Sequence, residues 1–278
     1  MRKPWKEAGL GLLNLLLVVA VIVVSQLWLQ KHFRAAGAAG AALLAVICLG
    51  TYIAGSKWIE RRTPTELAIR HVLPELGAGM LAGLALFSSV MAILFICGVY
   101  HPSGWGTMSQ LARGFGLAVL AGIVEEILFR GLLFRLSAKL IGTWGALALT
   151  AALFGAAHAV NRGATLSSSI AIAVEAGILL GATYAATKRL WLPIGLHVGW
   201  NFTEGSLFGM ILSGNKMASG LIQGSLSGPR ILTGGEFGPE ASIIAVIVCL
   251  AAAVYFIRRT VKLQIVEPPV WTKSAQNP

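Results

Sequence analysis

The stretch Ala121-Gly-Ile-Val-Glu125-Glu126-Ile-Leu-Phe-Arg130 places two adjacent carboxylates and a guanidinium inside an apolar run. That run, residues 111–134, is long enough to cross a bilayer, which takes about 20 mostly apolar residues. A charged side chain at the bilayer centre costs about 2.5–3.5 kcal/mol on insertion scales, so it is a functional candidate by default. The stretch therefore predicts a membrane-spanning helix that contains functional residues.

The composition of the whole chain agrees with a membrane protein. Its 278 residues are 56% hydrophobic and 12% charged, with a mean hydropathy of +0.77, whereas about a quarter of the residues of a soluble domain are charged. We predict an all-α, polytopic transmembrane helical bundle with about eight spans, at residues 8–29, 36–53, 76–100, 111–134, 143–160, 167–187, 192–213 and 241–257. The three cysteines lie inside apolar stretches and are interpreted as small hydrophobic residues.

The basic residues predict the orientation of the chain. The formal net charge is +11, from 22 Lys and Arg against 11 acids, all of them Glu. With the N-terminus inside, inner segments carry 15 basic residues and outer loops carry 5, so both termini are predicted to be cytoplasmic. The basic residues lie in short loops without interleaved aromatic residues, which favours anionic lipid as their partner and not nucleic acid.

Three regions are predicted along the chain. Residues 1–75 form an N-terminal two-helix membrane segment with an amphipathic connector, in which Thr63-Pro64-Thr65-Glu66 is able to cap a short helix. Residues 76–260 form the core, and residues 261–278 form a cytoplasmic tail. The protein is expected in a membrane as a multi-pass protein, and in the inner or plasma membrane if it is bacterial.

Helix geometry separates the roles of the charged residues. Glu126 and Arg130 are four residues apart and share a face, so they are predicted to pair. Glu125 points about 100° away from Glu126 and is left to face a cavity, where a desolvated carboxyl suits a general acid or base. The alternative is that all three residues form a structural network that only holds helices together.

Two histidines lie in other predicted spans. His158 follows Phe154 by four residues, and His197 precedes Asn201 by four residues. Each histidine taken alone is typical of an interhelical hydrogen bond. Together with Glu125, the set provides a carboxylate, two imidazoles and an amide, which is most of what the attack of a water molecule needs, with or without a metal.

These residues resemble three motifs of the CPBP family, which holds the type II CAAX prenyl endopeptidases and bacterial proteins once named for bacteriocin immunity. Glu-Glu-x-x-x-Arg (Glu125, Glu126, Arg130), Phe-x-x-x-His (His158) and His-x-x-x-Asn (His197, Asn201) occur in the family's order, between residues 125 and 201. The resemblance implies an intramembrane endopeptidase that cleaves a membrane-embedded or lipidated peptide.

The resemblance also implies roles for single residues. Glu125 would activate water, His158 and His197 would bind that water or a metal, and Asn201 would help to stabilise the oxyanion. For a zinc ion, His158 and His197 would be ligands together with Glu125 or Asn201. Zinc and a metal-free water remain two open chemistries.

Other functions are weighed against this one. A non-catalytic binding or immunity protein of the same fold and a proton-coupled transporter would also contain buried Glu and His, although no internal repeat of the transporter kind is visible. The chain has no Asp for an aspartyl protease, no Gly-x-Ser-Gly and no His-Glu-x-x-His.

Two further acids and the depths of the two histidines along their helices give additional expectations. Glu175 is expected to form an interhelical hydrogen bond, and Glu204 is weighed as a partner that orients a histidine. Along their helices, His158 lies about 24 Å from Gly142 but His197 only about 10 Å from Leu190. Helix tilt, or a sunken connection before His197, must make up this difference.

Overall fold

The computed structural model describes residues 4–32, 37–215 and 220–273, most of which are helical. Four basic residues of the orientation count, Arg2, Lys3, Arg34 and Lys216, lie outside these ranges. The longer helices are α1 Pro4–His32, α2 Gly37–Trp58, α3 Val72–Ile96, α4 Met108–Glu126, α5 Arg135–His158, α6 Leu166–Ile172, α7 Ile178–Thr187, α8 Trp191–Phe202 and, after the short α9 Arg230–Thr233, α10 Ile243–Lys262. A last short helix, α11, is Val270–Lys273.

Five helical segments of the described ranges are long and apolar enough to cross a membrane: Lys6–Ser25, Ala39–Trp58, Ile69–Ile96, Leu166–Thr187 and Ile243–Lys262. These are the helices of an integral membrane protein. The predicted spans at 111–134, 143–160 and 192–213 are not among them, and they are the three that contain the candidate site residues. The total of eight spans and the sides of the termini remain predictions.

Within the described part of the chain, three π-helical segments interrupt the bundle, at Ile127–Phe134, Ala173–Gly177 and Thr203–Leu207. The first directly follows the Glu125-Glu126 pair, and the other two contain Glu175 and Glu204. π-Helical turns are rare in proteins, and those that occur are frequently found at functional sites. Their position next to buried acids therefore indicates a candidate functional site in this region of the bundle. The nominal helix α5 also contains a sharp kink at Gly142, which has φ 76° and ψ 171°.

The structure is mostly helical, as the prediction of an all-α fold requires, and it adds one small β-sheet that the sequence did not indicate. Strands β1 Tyr100–Trp105 and β2 Ile222–Leu226 form a two-stranded antiparallel sheet. Helix α3 ends before this sheet, because Gly98 adopts a positive φ of 68°. The strands contain Pro102, Gly104 and Gly224 in place of the alternating β-branched residues from which strands are usually predicted.

Helices α3 and α8 approach each other closely through glycines. A Cβ atom added at Gly79 or Gly83 would lie 2.4 or 2.2 Å from a backbone oxygen of α8. A Cβ atom at Gly195 or Gly199 would lie 2.3 or 2.2 Å from a backbone oxygen of α3. These two Gly-x-x-x-Gly pairs allow backbone contact, as in membrane helix pairs generally, and α8 is the helix that carries His197.

The connector, residues 59–71, folds onto the bundle with its acids inward. It contains two 3₁₀ helices, Thr65–Leu67 and Ile69–His71, and no side chain caps the first one, so the predicted cap at Thr63–Glu66 is wrong. Glu60 and Glu66 are buried and both bind Arg62, whereas Ile69 is exposed. The two buried acids of the connector are thus paired within the protein, Leu67 is buried in the core, and Ile69 faces outward.

Candidate active site

The structure places the ion pair between Glu126 and Arg130. Arg130 Nη1 donates to Glu126 Oε1 at 2.8 Å, and both side chains are fully buried. Arg130 Nη2 also donates to the carbonyl oxygens of Ala176 and Gly177, and the guanidinium lies 4.8 Å from the centre of the Phe154 ring. Arg130 therefore ties the Glu126 segment to the second π-helix and to α5.

Glu126 also holds His197. The Nδ1 atom of His197 lies 2.9 Å from Glu126 Oε1. An ionised carboxylate only accepts hydrogen bonds, so His197 carries a proton on Nδ1 and donates it. This carboxylate–imidazole contact fixes the orientation of the ring and directs Nε2 toward the neighbouring Glu125.

His158 is oriented in the same sense by its own helix. Its Nδ1 lies 2.8 Å from the carbonyl oxygen of Phe154, one turn earlier. A carbonyl oxygen accepts and does not donate, so Nδ1 of His158 also carries the proton. The Phe154 ring lies against both imidazoles, with centroid distances of 4.6 Å to His158 and 6.2 Å to His197.

Glu125 completes the arrangement. Its Oε2 atom lies 3.9 Å from His158 Nε2 and 4.0 Å from His197 Nε2. The Glu125 side chain is 28% exposed, in contrast to the fully buried Glu126. Three groups from three helices thus converge on one point, although Glu125 and His197 are 72 residues apart along the chain.

The unequal helix depths are resolved by the connection before His197. Leu190 is fully buried, and its N–H donates to the carbonyl oxygen of Glu66 in the connector. The Trp191 indole donates to the carbonyl oxygen of Ala68. Helix α8 therefore starts beneath the connector, which is the sunken connection that the convergence required.

Asn201 lies in a small cavity next to the histidines. The cavity has a volume of about 30 Å³, which is enough for one or two water molecules. Its polar lining is provided by His158, Glu175, His197, Asn201, Ser213 and Glu240. The remaining walls are apolar and come mainly from α6 through α8, with Trp200 at one side.

Two of the lining residues, Ser213 and Glu240, were not predicted. Ser213 Oγ donates to Glu240 Oε1 at 2.7 Å. Burial raises the pKa of Glu240, although the Ser213 hydrogen bond and nearby His158 partly oppose the increase. Both residues lie in the Gly- and Ser-rich segment after α8, where no periodic pattern could have indicated a buried position.

The two acids weighed from the sequence lie beside this cavity. Glu175 is buried in the cavity wall, where it interacts with the thiol of Cys249 on α10, in line with the expected interhelical contact. Glu204 is also fully buried, and its carboxyl lies beside that of Glu240. The residue that orients His197 is Glu126 and not Glu204.

The site residues were also tested as a metal centre. Among the described residues, no group of three or more His, Cys, Asp or Glu is arranged to hold a metal ion. Two ligands each about 2.1 Å from a tetrahedral zinc lie about 3.4 Å apart, whereas Glu125 lies 3.9 and 4.0 Å from the two imidazoles. Both separations are about 0.5 Å longer than this spacing, and zinc binding stays a prediction.

Comparison with known proteins gives one finding. Residues 106–203 match the family model described as type II CAAX prenyl endopeptidase, Rce1-like. The match covers roughly a third of the chain and contains all three motifs, so the resemblance predicted from them is confirmed. It supports a protease and a membrane protein. Neither the curated proteins nor the solved structures contain a significant match to the chain.

Proposed function

We propose that this chain, which matches the type II CAAX prenyl endopeptidases over residues 106–203, is an intramembrane endopeptidase that hydrolyses a peptide bond with a water molecule activated by Glu125. Its substrate would be a membrane-embedded or lipidated peptide. We take the chain to span the bilayer about eight times with both termini cytoplasmic, since the three polar helices that carry the site pack among the five apolar ones.

One observation carries this proposal: Glu125 Oε2 lies about 4 Å from the Nε2 atoms of both His158 and His197. Two groups that each lie about 2.8 Å from one water oxygen, at roughly a right angle, are about 4.0 Å apart. A single water molecule therefore fits between the carboxylate and the two imidazoles. No other acid among the described residues makes ion-pair contacts with both of these histidines.

The protonation of the site follows from its contacts. His197 lies between Glu125 and Glu126, at 4.0 and 2.9 Å, so a doubly protonated ring would be flanked by two negative charges. In that form His197 donates to the water oxygen through Nε2. The water then donates one hydrogen to Glu125 and the other to the lone pair on His158 Nε2. All three partners of the water are satisfied at once.

The reaction then needs no further base. Glu125 takes a proton from the water as the water oxygen bonds to the scissile carbonyl carbon, and the carbonyl oxygen becomes an oxyanion. The Asn201 amide and His197 provide N–H donors for that oxyanion. When the carbon–nitrogen bond breaks, Glu125 returns the proton to the leaving amine, so that a carboxylic acid and an amine are released.

The proposal is tested by the pair Glu125→Gln and Glu236→Gln in purified protein, with a panel of lipidated and transmembrane peptides. Glu236 is an exposed acid that undergoes the same chemical change. General base catalysis contributes about 10²–10⁴-fold, so Glu125→Gln should lower kcat by at least about 100-fold and Glu236→Gln should leave it unchanged. Equal cleavage by wild type and Glu125→Gln would overturn the assignment.

Three further outcomes would change the chemistry or the class of protein that is proposed. Stoichiometric zinc in the active protein, lost in His158→Ala, would replace the metal-free mechanism with a metalloprotease. Peptide binding by both wild type and Glu125→Gln, with no cleavage by either, would indicate the non-catalytic binding protein. Uptake of a solute with a pH dependence that Glu125→Gln removes would indicate the transporter.

A further inference from the structure

A second cavity lies between helices α6 and α10, where the short helix α9 also borders it. Its volume is about 450 Å³, which is within the range of about 300–1,000 Å³ that is usual for ligand pockets. None of the residues that line this cavity also lines the small cavity beside His158 and His197. It is therefore separate from the candidate active site, and we call it the α6–α10 groove.

The walls of the groove are mainly apolar. Ile170 and Val174 line it from α6 and the π-helical segment that follows, and Ile243 and Val246 line it from α10. Ile170 is 55% exposed and Ile243 is 39% exposed, so the groove lies at the surface of the bundle. Both walls belong to helical segments that are long and apolar enough to cross a membrane. The groove therefore faces the lipid.

Three polar side chains of the groove lie together at one end of it. Arg230 Nη2 donates to Thr165 Oγ1 at 3.4 Å, and the Ser167 hydroxyl lies 3.0 Å from the same oxygen. Thr165 directly precedes the apolar helical segment Leu166–Thr187. Arg230 is therefore at the level where this segment begins, which is the level of the lipid headgroups at the edge of the hydrocarbon core.

The charge of Arg230 has no counter-charge in the described part of the chain. No carboxylate of the described residues forms an ion pair with it, and the residue is exposed. Its hydrogen bond to Thr165 uses one of the five N–H donors of a guanidinium. The other donors and the charge are left for a ligand, and guanidinium groups bind phosphate through two parallel hydrogen bonds.

The length of the groove matches one leaflet of a bilayer. Thr165 and Val174 are nine residues apart, which is about 13 Å at a rise of 1.5 Å per residue. Half of a hydrocarbon core of about 30 Å is about 15 Å. Arg230 and the apolar walls thus follow each other in the same order, and over the same distance, as the phosphate and the acyl chain of a phospholipid.

The headgroup end of the groove has to provide the selectivity. Apolar walls do not distinguish a bound acyl chain from the surrounding bilayer, because lipid tails are as apolar as the side chains. A zwitterionic headgroup brings its own ammonium group next to its phosphate, whereas an anionic headgroup leaves a net charge for Arg230. Basic pockets between transmembrane helices bind anionic lipid headgroups in this way.

We propose that the α6–α10 groove binds one anionic phospholipid, with its phosphate at Arg230 and one acyl chain between Ile170 and Val246. The inference requires that the chain spans a membrane. It does not require the proposed peptidase activity, because none of the candidate catalytic residues lines the groove.

The first test measures headgroup selection by native mass spectrometry of the delipidated protein. It compares dioleoyl phosphatidylglycerol with dioleoyl phosphatidylcholine, which have the same acyl chains. Wild type should bind the first phosphatidylglycerol at least about tenfold more tightly, as expected for charge-assisted hydrogen bonds. Arg230→Gln should lose this preference, and Arg162→Gln, at an exposed arginine outside the groove, should keep it. Equal affinity of wild type for both lipids, or a preference retained by Arg230→Gln, would overturn the proposal.

The second test asks whether the acyl chain occupies the groove. Val246→Trp fills the groove from α10, and Val254→Trp adds the same bulk about two turns later, at an exposed position outside the groove. Val246→Trp should weaken the binding of phosphatidylglycerol markedly, and Val254→Trp should leave it unchanged. Undiminished binding by a folded Val246→Trp would show that the lipid lies elsewhere.

A cross-linking measurement on wild type does not depend on the folding of any variant. A phosphatidylglycerol with a photoactivatable diazirine in its acyl chain should react with residues 166–174 or 243–247, which form the two walls. Cross-links confined to other helices would overturn the proposal.

The lipid of a peptide substrate is the competing occupant. A prenylated peptide without a phosphate should not displace phosphatidylglycerol from wild type. Displacement, together with equal binding of the peptide by Arg230→Gln, would assign the groove to the lipid of a substrate and overturn the proposal. Lipid binding requires no turnover, so a failure of the proposed peptidase function and a failure of the lipid site are observed separately.

Discussion

At the scale of single residues, Glu125 and Glu126 have the same chemistry and opposite surroundings. One step along the helix turns a side chain by about 100°, which places Glu126 against Arg130 and His197 and places Glu125 at the partly exposed point between the histidines. Under the proposed function, Glu126, whose charge is compensated, is the positioning residue, and Glu125 is the group that reacts.

The buried Glu126–Arg130 pair predicts a non-additive effect on stability. Arg130→Met should lower the free energy of unfolding by about 3–5 kcal/mol, because it leaves the Glu126 carboxylate buried without its cation. The double variant Glu126→Gln, Arg130→Met removes both charges and should regain much of this loss, yet stay inactive because His197 loses its carboxylate partner. Thermal unfolding in detergent gives the comparison. Additive losses would show that the two charges are not coupled.

The site was predictable wherever two groups share one helix. The four-residue spacings gave the Glu126–Arg130 pair and placed His197 and Asn201 on one face. The contact from Glu126 to His197 joins two helices and follows from no spacing. The sequence led us to weigh Glu204 for this role, because Glu204 shares the chain segment of His197. Ser213 and Glu240 reach the cavity from irregular backbone, which leaves no periodic signal.

At the scale of elements, the contact between α3 and α8 sets the position of His197. Gly83→Ala would place a methyl group 2.2 Å from the carbonyl oxygen of Leu196, so α8 must shift. Overpacking of this kind costs about 1–3 kcal/mol, and kcat should fall together with the unfolding temperature. The matched control is Gly77→Ala on the same helix, where no atom lies within 4 Å.

The expected sign for the control differs from that of Gly83→Ala. Alanine has a higher helix propensity than glycine by about 1 kcal/mol, so Gly77→Ala should leave activity unchanged and keep or raise the unfolding temperature. If Gly83→Ala behaved like Gly77→Ala, close packing of α3 on α8 would not be what positions His197.

The connector predicts a loss of stability in acid. Burial alone would raise the pKa of Glu60, but Arg135, Asn14 and Arg62 together hold this pKa below the ordinary glutamate value of 4.5. A carboxyl whose folded-state pKa is depressed stabilises the fold above its unfolded-state pKa and loses that contribution as the pH falls through the folded-state value. The unfolding temperature of the wild type should therefore fall as the pH is lowered below about 4.5. The unfolding temperature of Glu60→Gln should fall less over the same range, because it is already lower at neutral pH. Equal drops in both proteins would assign the acid sensitivity to other groups.

The sequence predicted the long apolar helices better than the short elements. Five long apolar helices are found where the hydropathy predicts spans, because nothing in those segments competes with a helix. The β1–β2 sheet and the π-helical turns depend on contacts between distant segments, such as Tyr100 opposite Leu226. Local propensity at Pro102 or Gly104 argues against a strand, so tertiary pairing overrides it.

At the scale of the whole molecule, the N-terminal helices are joined to the catalytic fold more closely than a separate membrane segment would be. The Tyr52 hydroxyl of α2 contacts the carboxylate of Glu66 in the connector and also lies 3.0 Å from the carbonyl oxygen of Gly131, the residue after Arg130. The buried Asn14 of α1 donates to Glu60, which also pairs with Arg135. Two elements outside the family match therefore support the segment that carries Glu126.

This coupling predicts that residues 59–278 are insufficient by themselves, although they contain every motif. Expression of this fragment without α1 and α2 would expose Gly131. It would also leave the acids of the connector without Tyr52 and Asn14, and each buried polar group that loses its partner costs about 1–3 kcal/mol. We expect an inactive protein that is not monodisperse in detergent, and recovery of activity when residues 1–58 are co-expressed as a separate chain. Tyr52→Phe in the full chain isolates one hydroxyl of this interface and should lower kcat without a change in KM, because it acts on the position of the catalytic helix and not on peptide binding. A monodisperse and fully active 59–278 fragment would show instead that α1 and α2 are an appendage and that the connector holds the site alone.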